Sequence, residues 1–312
     1  MLSGIAPGLR WALFGVFALL SLATIFVVVL RAARPEKDVT ELWLRIKSWW
    51  IMAIIFSLAL ILSRTVAVIF LAAVSFFALK EYLSLIPTRR ADRRVLLLPY
   101  LAIPIQYWFV AKAWYGMFII FVPVYVFLLL PVTMVLIGET KGFLRAAGTL
   151  HWGVMTTVFS LSHAAFLLVL PEEVNPPAGG PGLLFYLVLL TQMNDVAQYV
   201  WGKALGNKKV IPSVSPGKTQ AGLVGGVLTT TVLAVALAEW LTPLSLLEAG
   251  AIGFLIGVAG FLGDVTISAI KRDLGVKDSG QLIPGHGGIM DRVDSLTYTA
   301  PLFFHVVYFL HY

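Results

Sequence analysis

Ten mostly apolar stretches alternate with polar loops along this 312-residue chain, and each is about as long as a helix that crosses a bilayer. Hydrophobic residues make up 59% of the chain, more than the core of a soluble protein needs. In lipid the backbone must satisfy its own hydrogen bonds, and a helix does so within one segment. We therefore predict an all-α integral membrane protein, a polytopic bundle of nine to ten transmembrane helices, because the second and fourth stretches are short. The stretches are centred near residues 20, 56, 75, 103, 126, 159, 191, 231, 256 and 303.

The basic residues indicate how these helices are oriented. If all ten stretches span the membrane, the odd-numbered connections hold all but three of the 23 lysine and arginine residues, the exceptions being Arg10, Arg64 and Lys112. Cytoplasmic loops are enriched in lysine and arginine, so we expect the odd-numbered loops in the cytoplasm and both termini outside. The formal net charge of +7 then reflects membrane topology, and we expect no nucleic-acid partner.

Residues 263–295 concentrate both signs of charge between two apolar stretches, where a stranded charge is expensive. On a helix, Asp264, Ser268 and Lys271 fall on one face, and Asp291 and Asp294 lie one turn apart. Carboxylates suit Mg²⁺, while lysine, arginine and bare backbone amides suit phosphate oxygens. The absence of cysteine excludes a thiolate ligand or nucleophile. This segment therefore predicts a site for a metal–phosphate substrate at a membrane surface.

A second polar cluster follows the seventh apolar stretch. Asp195 is a carboxylate inside a predicted span, and the loop after it carries Ser215, Lys218 and Thr219. The seventh and ninth connections emerge on the same predicted side, so both clusters can contribute to one site. We divide the chain into an N-terminal transmembrane region, 1–94, with an interfacial amphipathic helix at 34–50, and a membrane-embedded catalytic region, 95–312. The site is formed by 191–222 and 263–295.

These residues carry a family resemblance. The spacing Ser268-x-x-Lys271-Arg272, Lys277-Asp278, Pro284-x-His286-Gly287-Gly288 and Asp291-Arg292-x-Asp294 resembles the C-terminal motif of the phosphatidate cytidylyltransferases (CDP-diacylglycerol synthases). Asp195 with Tyr199 and Gly202, and Ser215-Pro216-x-Lys218-Thr219-x-x-Gly222, are similar to two further segments of that family. The resemblance covers roughly residues 185 to 300. Three positions depart from the common pattern, which indicates a divergent member of bacterial type: Gln198, Ala221 and Ile267.

The resemblance implies transfer of a cytidylyl group from CTP to phosphatidic acid, or a related lipid phosphate, giving CDP-diacylglycerol and pyrophosphate in phospholipid biosynthesis. It implies Mg²⁺ as cofactor and a homodimer. We expect the protein in the bacterial cytoplasmic (inner) membrane, with its active site facing the cytoplasm.

The predicted site residues fall into three groups. The catalytic residues are Asp264, Asp291, Lys218, Lys271 and Arg272. The metal ligands are Asp264 and Asp291, with Asp294 or Asp195 assisting. The residues predicted to bind substrate are Tyr199, Ser215, Lys218, Thr219, Ser268, Lys277, Asp278, His286, Gly287, Gly288 and Arg292. Of these, we expect His286 mainly to orient its loop, and the neighbouring backbone amides to line the triphosphate.

Two other functions remain open from the residues. A CTP-dependent kinase acting on a lipid alcohol needs similar metal and phosphate groups, but it leaves CDP rather than pyrophosphate. A non-enzymatic transporter could bind cations at Asp195 and Asp264 inside the membrane. Against the transporter, the chain has no inverted repeat that we can detect, and its charges crowd one membrane face.

Overall fold

The structure, a computed structural model, describes residues 6–34, 36, 38–280, 282–283 and 287–312. Within these residues the chain is helical apart from loops and two isolated β-bridges, Lys209 with Thr219 and Ile283 with Gly287. The predicted all-α polytopic membrane bundle is confirmed.

Thirteen α-helices follow one another through the described residues, some of them joined end to end by a π-helical or 3₁₀ turn. They are α1 (Pro7–Ala33), α2 (Thr40–Leu62), α3 (Arg64–Leu85), α4 (Leu97–Ala111), α5 (Tyr115–Ile120), α6 (Phe127–Val135), α7 (Phe143–Val154), α8 (Leu161–Phe166), α9 (Gly179–Leu205), α10 (Gln220–Leu241), α11 (Leu246–Asp273), α12 (Met290–Val293) and α13 (Leu296–His311).

Eight helical segments of the described chain are long and apolar enough to cross a membrane. Eight of the ten predicted stretches are among them. The other two are α9, whose C-terminal half is polar, and α13, which has only 16 residues. All ten predicted centres nevertheless fall within helical segments. The eight qualifying segments are α1, α2, α3, Asp92–Ala111, Tyr115–Val135, Phe143–Val169, α10 and α11.

The amphipathic helix predicted for 34–50 is not a separate element. Residues 40–50 form the first half of α2, which continues without a break to Leu62. The next break comes at Ser63, whose hydroxyl accepts the backbone N–H of Val66 (3.1 Å) and so caps α3. The apolar run after residue 50 therefore extends the helix that the tryptophan-rich segment begins.

Helices α9, α10 and α11 pack against one another, and glycines allow the close approach that positions the site. A Cβ added at Gly222 of α10 would lie 2.6 Å from the backbone oxygen of Gln198 on α9. One added at Gly263 of α11 would lie 2.7 Å from the backbone oxygen of Asp294. Small residues at such crossings are typical of membrane helix pairs. The two polar clusters are thereby brought together at one end of these helices.

Candidate active site

Side-chain contacts join the two polar clusters that were predicted to form one site. Lys218 Nζ lies 2.5 Å from Asp264 Oδ2, and Arg272 Nε donates a hydrogen bond to the Val214 carbonyl (3.2 Å). The Ser295 hydroxyl donates to both carboxylate oxygens of Asp195, at 3.2 and 3.0 Å. The loop between α9 and α10 is thus fastened to the end of α11, and α9 to the start of α13.

Lys218 lies in the centre of the first part of this site. Its ammonium group donates to Gln198 Oε1 (2.8 Å) as well as pairing with Asp264, whose other oxygen accepts the Ser268 hydroxyl (3.2 Å). Burial lowers the pKa of Lys218, but the Asp264 and Asp195 carboxylates outweigh this effect, so its pKa is raised and it stays protonated. Burial, together with Asp264 and Asp195, raises the pKa of Asp294 well above its ordinary value. The positive charge of Lys218 therefore reduces the repulsion among the neighbouring carboxylates.

Asp291 forms a second, separate centre. Its Oδ1 accepts Lys271 Nζ at 2.7 Å, and its Oδ2 accepts the backbone N–H and hydroxyl of Ser279 (2.8 and 2.9 Å) and the N–H of Gly288 (3.0 Å). Burial raises the pKa of Asp291, but Lys271 and the backbone donors prevail, so the pKa is lowered and the group is ionised. Asp291 Oδ2 already accepts three hydrogen bonds, whereas Oδ1 accepts one, from Lys271, so Oδ1 is the oxygen with more room for a cation.

Glu81 of α3 holds the same loop from the other side, and the sequence analysis missed it. Its Oε1 accepts the N–H of Ile289 (2.9 Å), and its Oε2 accepts the N–H of Met290 (2.8 Å) and lies 3.2 Å from the Ser279 hydroxyl, whose one proton goes to the nearer Asp291 Oδ2. The signal was present, because Glu81 is a carboxylate near the end of an otherwise apolar helix. The N-terminal transmembrane region, which the sequence analysis left out of the site, therefore contacts it through Glu81.

Gly287 and Gly288 lie close to these two carboxylates. Gly287 has a φ of +81°, and a Cβ there would lie 2.6 Å from Asp291 Oδ2. We expected the Gly288 amide to line a triphosphate, but its N–H is already donated to Asp291. In this structure the Asp291 carboxylate takes that N–H, and the contact with a triphosphate stays a prediction. The predicted loop-orienting residue His286 lies outside the described residues.

Two of the predicted substrate-binding residues, Thr219 and Tyr199, lie apart from the two charged centres in this structure, and their substrate-binding role stays a prediction. Thr219 is buried, and its hydroxyl accepts the Gly222 N–H (3.1 Å) as the N-terminal cap of α10. Tyr199 is 60% exposed, and its hydroxyl accepts a long hydrogen bond from Lys203 (3.4 Å). Neither side chain is directed at the carboxylates, because one is used by a helix end and the other lies on the outside of α9.

The remaining predicted residues lie around the two centres. The Ser215 carbonyl accepts the N–H of Lys218 (3.1 Å) in a turn that presents the lysine. Lys277 and Asp278 are exposed on the segment after α11. The carbonyl of Arg292 accepts Gln192 Nε2 (3.3 Å) from α9.

A model of the cytidylyltransferase family matches residues 43–310 of the chain. The chain belongs to the cytidylyltransferase family. The uncharacterized protein YnbB of Escherichia coli (strain K12) is 46% identical over 304 residues, which are 97% of this chain and 99% of that protein. The family therefore accounts for nearly the whole membrane bundle, the two charged centres included.

More distant relatives of this chain are described as phosphatidate cytidylyltransferases. The Haemophilus influenzae protein is 41% identical over 148 residues, 46% of this chain and 51% of that protein. The Synechocystis protein is 47% identical over 146 residues, 45% of this chain and 49% of that protein. The chain thus matches about half the length of these relatives.

The donor atoms of the two charged centres suit a hard cation. No group of three or more acidic, histidine or cysteine side chains in the described part of the chain is arranged to hold a metal ion as it stands. Mg²⁺, however, is usually bound by one or two carboxylates completed by water and substrate phosphates. Asp264 Oδ2 and Asp291 Oδ1 each face a lysine ammonium group, which is a charge that a cation can replace. The residues fit Mg²⁺ delivered with a nucleotide better than Mg²⁺ alone.

A cavity of about 840 Å³ lies elsewhere, between α3, α7 and α11. It is lined by Tyr82 and Trp152 and by Ile270 of α11, among others, and by none of the residues predicted for the site. On a helix, Ile270 and Asp273 point away from the face that carries Asp264, Ser268 and Lys271. The charged centres and this cavity are therefore on different sides of α11.

Proposed function

We propose that this protein transfers the cytidylyl group of CTP to a lipid phosphate, with phosphatidic acid as the first candidate, giving CDP-diacylglycerol and pyrophosphate. The observation that carries the proposal is the pairing of Lys218 with Asp264 and of Lys271 with Asp291 at one end of an apolar bundle. Family membership and relatives described as phosphatidate cytidylyltransferases support it.

The reaction needs little base catalysis, since the acceptor phosphate is already an anion. One of its oxygens forms a bond to the α-phosphorus of CTP, the bond from that phosphorus to the β-phosphate oxygen breaks, and pyrophosphate leaves with the electron pair. The protein must therefore align two anionic groups and neutralise them. Mg²⁺, bound through Asp264 and Asp291, would neutralise the triphosphate and its leaving group.

The lysines supply the rest of the positive charge. The ammonium groups of Lys218 and Lys271 pair with these carboxylates, and they would be free to contact phosphate oxygens if the carboxylates held Mg²⁺, so no new charge would have to be buried. Arg272 donates through one nitrogen to the Val214 carbonyl, which leaves the rest of its guanidinium group to contact phosphate. Asp195 and Asp294 lie near Asp264, and they would assist it in holding the metal.

The orientation and the membrane remain part of the proposal. The distribution of lysine and arginine supports a site on the cytoplasmic side, where CTP is found, and we propose the protein for the bacterial cytoplasmic membrane as a homodimer. A bundle of membrane helices also supplies the apolar surface that a lipid acceptor needs.

The test is an assay of purified protein in detergent with Mg²⁺, labelled CTP and phosphatidic acid. We expect CDP-diacylglycerol and pyrophosphate in equal amounts, both lost in Asp264→Asn. CDP in place of pyrophosphate, with a lipid alcohol as acceptor, would instead show the kinase. No product with any lipid phosphate, from folded protein that binds CTP, would refute the transferase reaction.

A further inference from the structure

Gln198 departs from the common pattern of the phosphatidate cytidylyltransferases, which have a small residue before the tyrosine, and it contacts the site directly. Its side chain is 4% exposed, and its Oε1 accepts Lys218 Nζ at 2.8 Å. The other two departures lie differently: Ile267 is fully buried in the apolar core, and Ala221 is partly buried at the start of α10. Of the three, Gln198 is the one joined to a predicted catalytic residue by a hydrogen bond.

The surroundings of Gln198 are built to hold it. A Cβ at Gly226 of α10 would overlap Gln198 Cγ, so this glycine makes the room that the longer side chain needs. The amide nitrogen Nε2 is buried and has no hydrogen-bond partner in the described structure. Burying an unpaired polar group is unfavourable. The strong hydrogen bond that Gln198 Oε1 accepts from the charged Lys218 ammonium group offsets this cost.

Lys218 is held by three groups. Gln198 Oε1 and Asp264 Oδ2 accept from the ammonium, which also lies 5.9 Å from the centre of the Phe261 ring. If Asp264 held a nucleotide-bound cation, the ion pair would be lost, and Gln198 would be the hydrogen-bond acceptor that still holds Lys218. Without Gln198 the ammonium group would be attracted only at longer range by Asp195 and Asp294, which fixes its position less well than a hydrogen bond does.

We infer that Gln198 is a positioning residue that keeps the Lys218 ammonium group in the site after the substrate has taken Asp264. This inference rests on the proposed function for its second half, the occupation of Asp264. Gln198 touches no reacting atom, and it acts only through Lys218. Loss of Gln198 should therefore change the position of the Lys218 ammonium group, and should leave the fold and CTP binding unchanged.

The experiment measures how fast Lys218 reacts with acetic anhydride, by mass spectrometry of the full chain in detergent, with exposed Lys203 as internal reference. Reactivity is compared without ligand and with Mg²⁺ and a non-hydrolysable CTP analogue. Gln198→Met keeps the volume and removes the acceptor, and Gln198→Glu keeps an acceptor. The matched control is Gln106→Met, another buried glutamine with one unpartnered amide atom, which contacts Phe118 and Ser162 far along the chain from α9.

We expect Gln198→Met to raise the relative reactivity of Lys218 about tenfold with ligand, the scale of one hydrogen bond to a charged group. Gln198→Glu should restore slow reaction, and Gln106→Met should leave Lys218 unchanged. Equal Lys218 reactivity in Gln198→Met and the unaltered protein would overturn the inference. The readout needs no turnover, so a protein that forms no CDP-lipid would refute the proposed function while the Lys218 comparison still decides the role of Gln198.

Discussion

Glu81 Oε1 accepts the backbone N–H of Ile289 at 2.9 Å, across 208 positions of the chain. The same carboxylate accepts the next N–H, that of Met290, so it binds the start of the short helix α12. Helix α12 carries Asp291, and the position of that carboxylate therefore depends on a side chain of α3. An acidic group at a helix N-terminus is favourable because the exposed N–H groups carry partial positive charge.

Replacing Glu81 by Gln should lower kcat of the proposed transferase about tenfold, while the KM for CTP changes less. The amide can accept through one oxygen only, so one of the two bonded N–H groups of the turn loses its partner. Steady-state kinetics measure the effect, and Glu239→Gln, at an exposed position of α10, is the control. Unchanged kcat in Glu81→Gln would show that the loop is held well enough without this carboxylate.

Asp264→Asn and Asp291→Asn should both abolish turnover, but they should differ in stability. Asp291→Asn turns an amide NH₂ toward either Lys271 or the donors of Ser279 and Gly288, which costs about 1–3 kcal/mol for the unpaired group. Asp264→Asn leaves its partners able to reach other carboxylates. Thermal unfolding in detergent should therefore show a lower Tm for Asp291→Asn alone. Wild-type turnover in either variant would contradict the metal-binding role of that aspartate.

Gly222→Ala should destabilise the protein, whereas Gly217→Ala should not. A Cβ at Gly222 would lie 2.6 Å from the Gln198 carbonyl, so α9 and α10 must separate, at a cost of about 1–3 kcal/mol. A Cβ at Gly217 meets nothing within 4 Å. The two variants are compared by Tm in the same detergent. A similar Tm for both would mean that the helix crossing adapts at no cost.

Thr219→Ala should lower the free energy of unfolding by about 1 kcal/mol through loss of the α10 cap. Thr219→Ser, which keeps the hydroxyl, should recover most of the lost stability.

Tyr199→Phe should change activity less than twofold. Activity assays of Tyr199→Phe test whether the exposed hydroxyl has any part in the reaction. A large loss there would return Tyr199 to the substrate site, where the sequence had placed it.

The sequence determined the helices and the general place of the site. Long apolar stretches in lipid can satisfy their backbone groups only as helices, so the bundle follows from composition and length alone. The spacing of Asp264, Ser268 and Lys271 fixes one face of α11 because it depends on a single helix. The similarity of 263–295 to a known motif pointed to the same residues.

Only the tertiary structure decided which partners those residues have. Glu81 accepts a hydrogen bond from Ile289, Gln198 from Lys218, and Asp291 from the Gly288 amide. No local sequence pattern predicts these contacts. They depend on which helices are neighbours and on how closely glycines let them approach. A hydrogen bond needs its two atoms within about 3 Å of one another, and helical periodicity fixes such distances within a helix but not between helices distant in sequence.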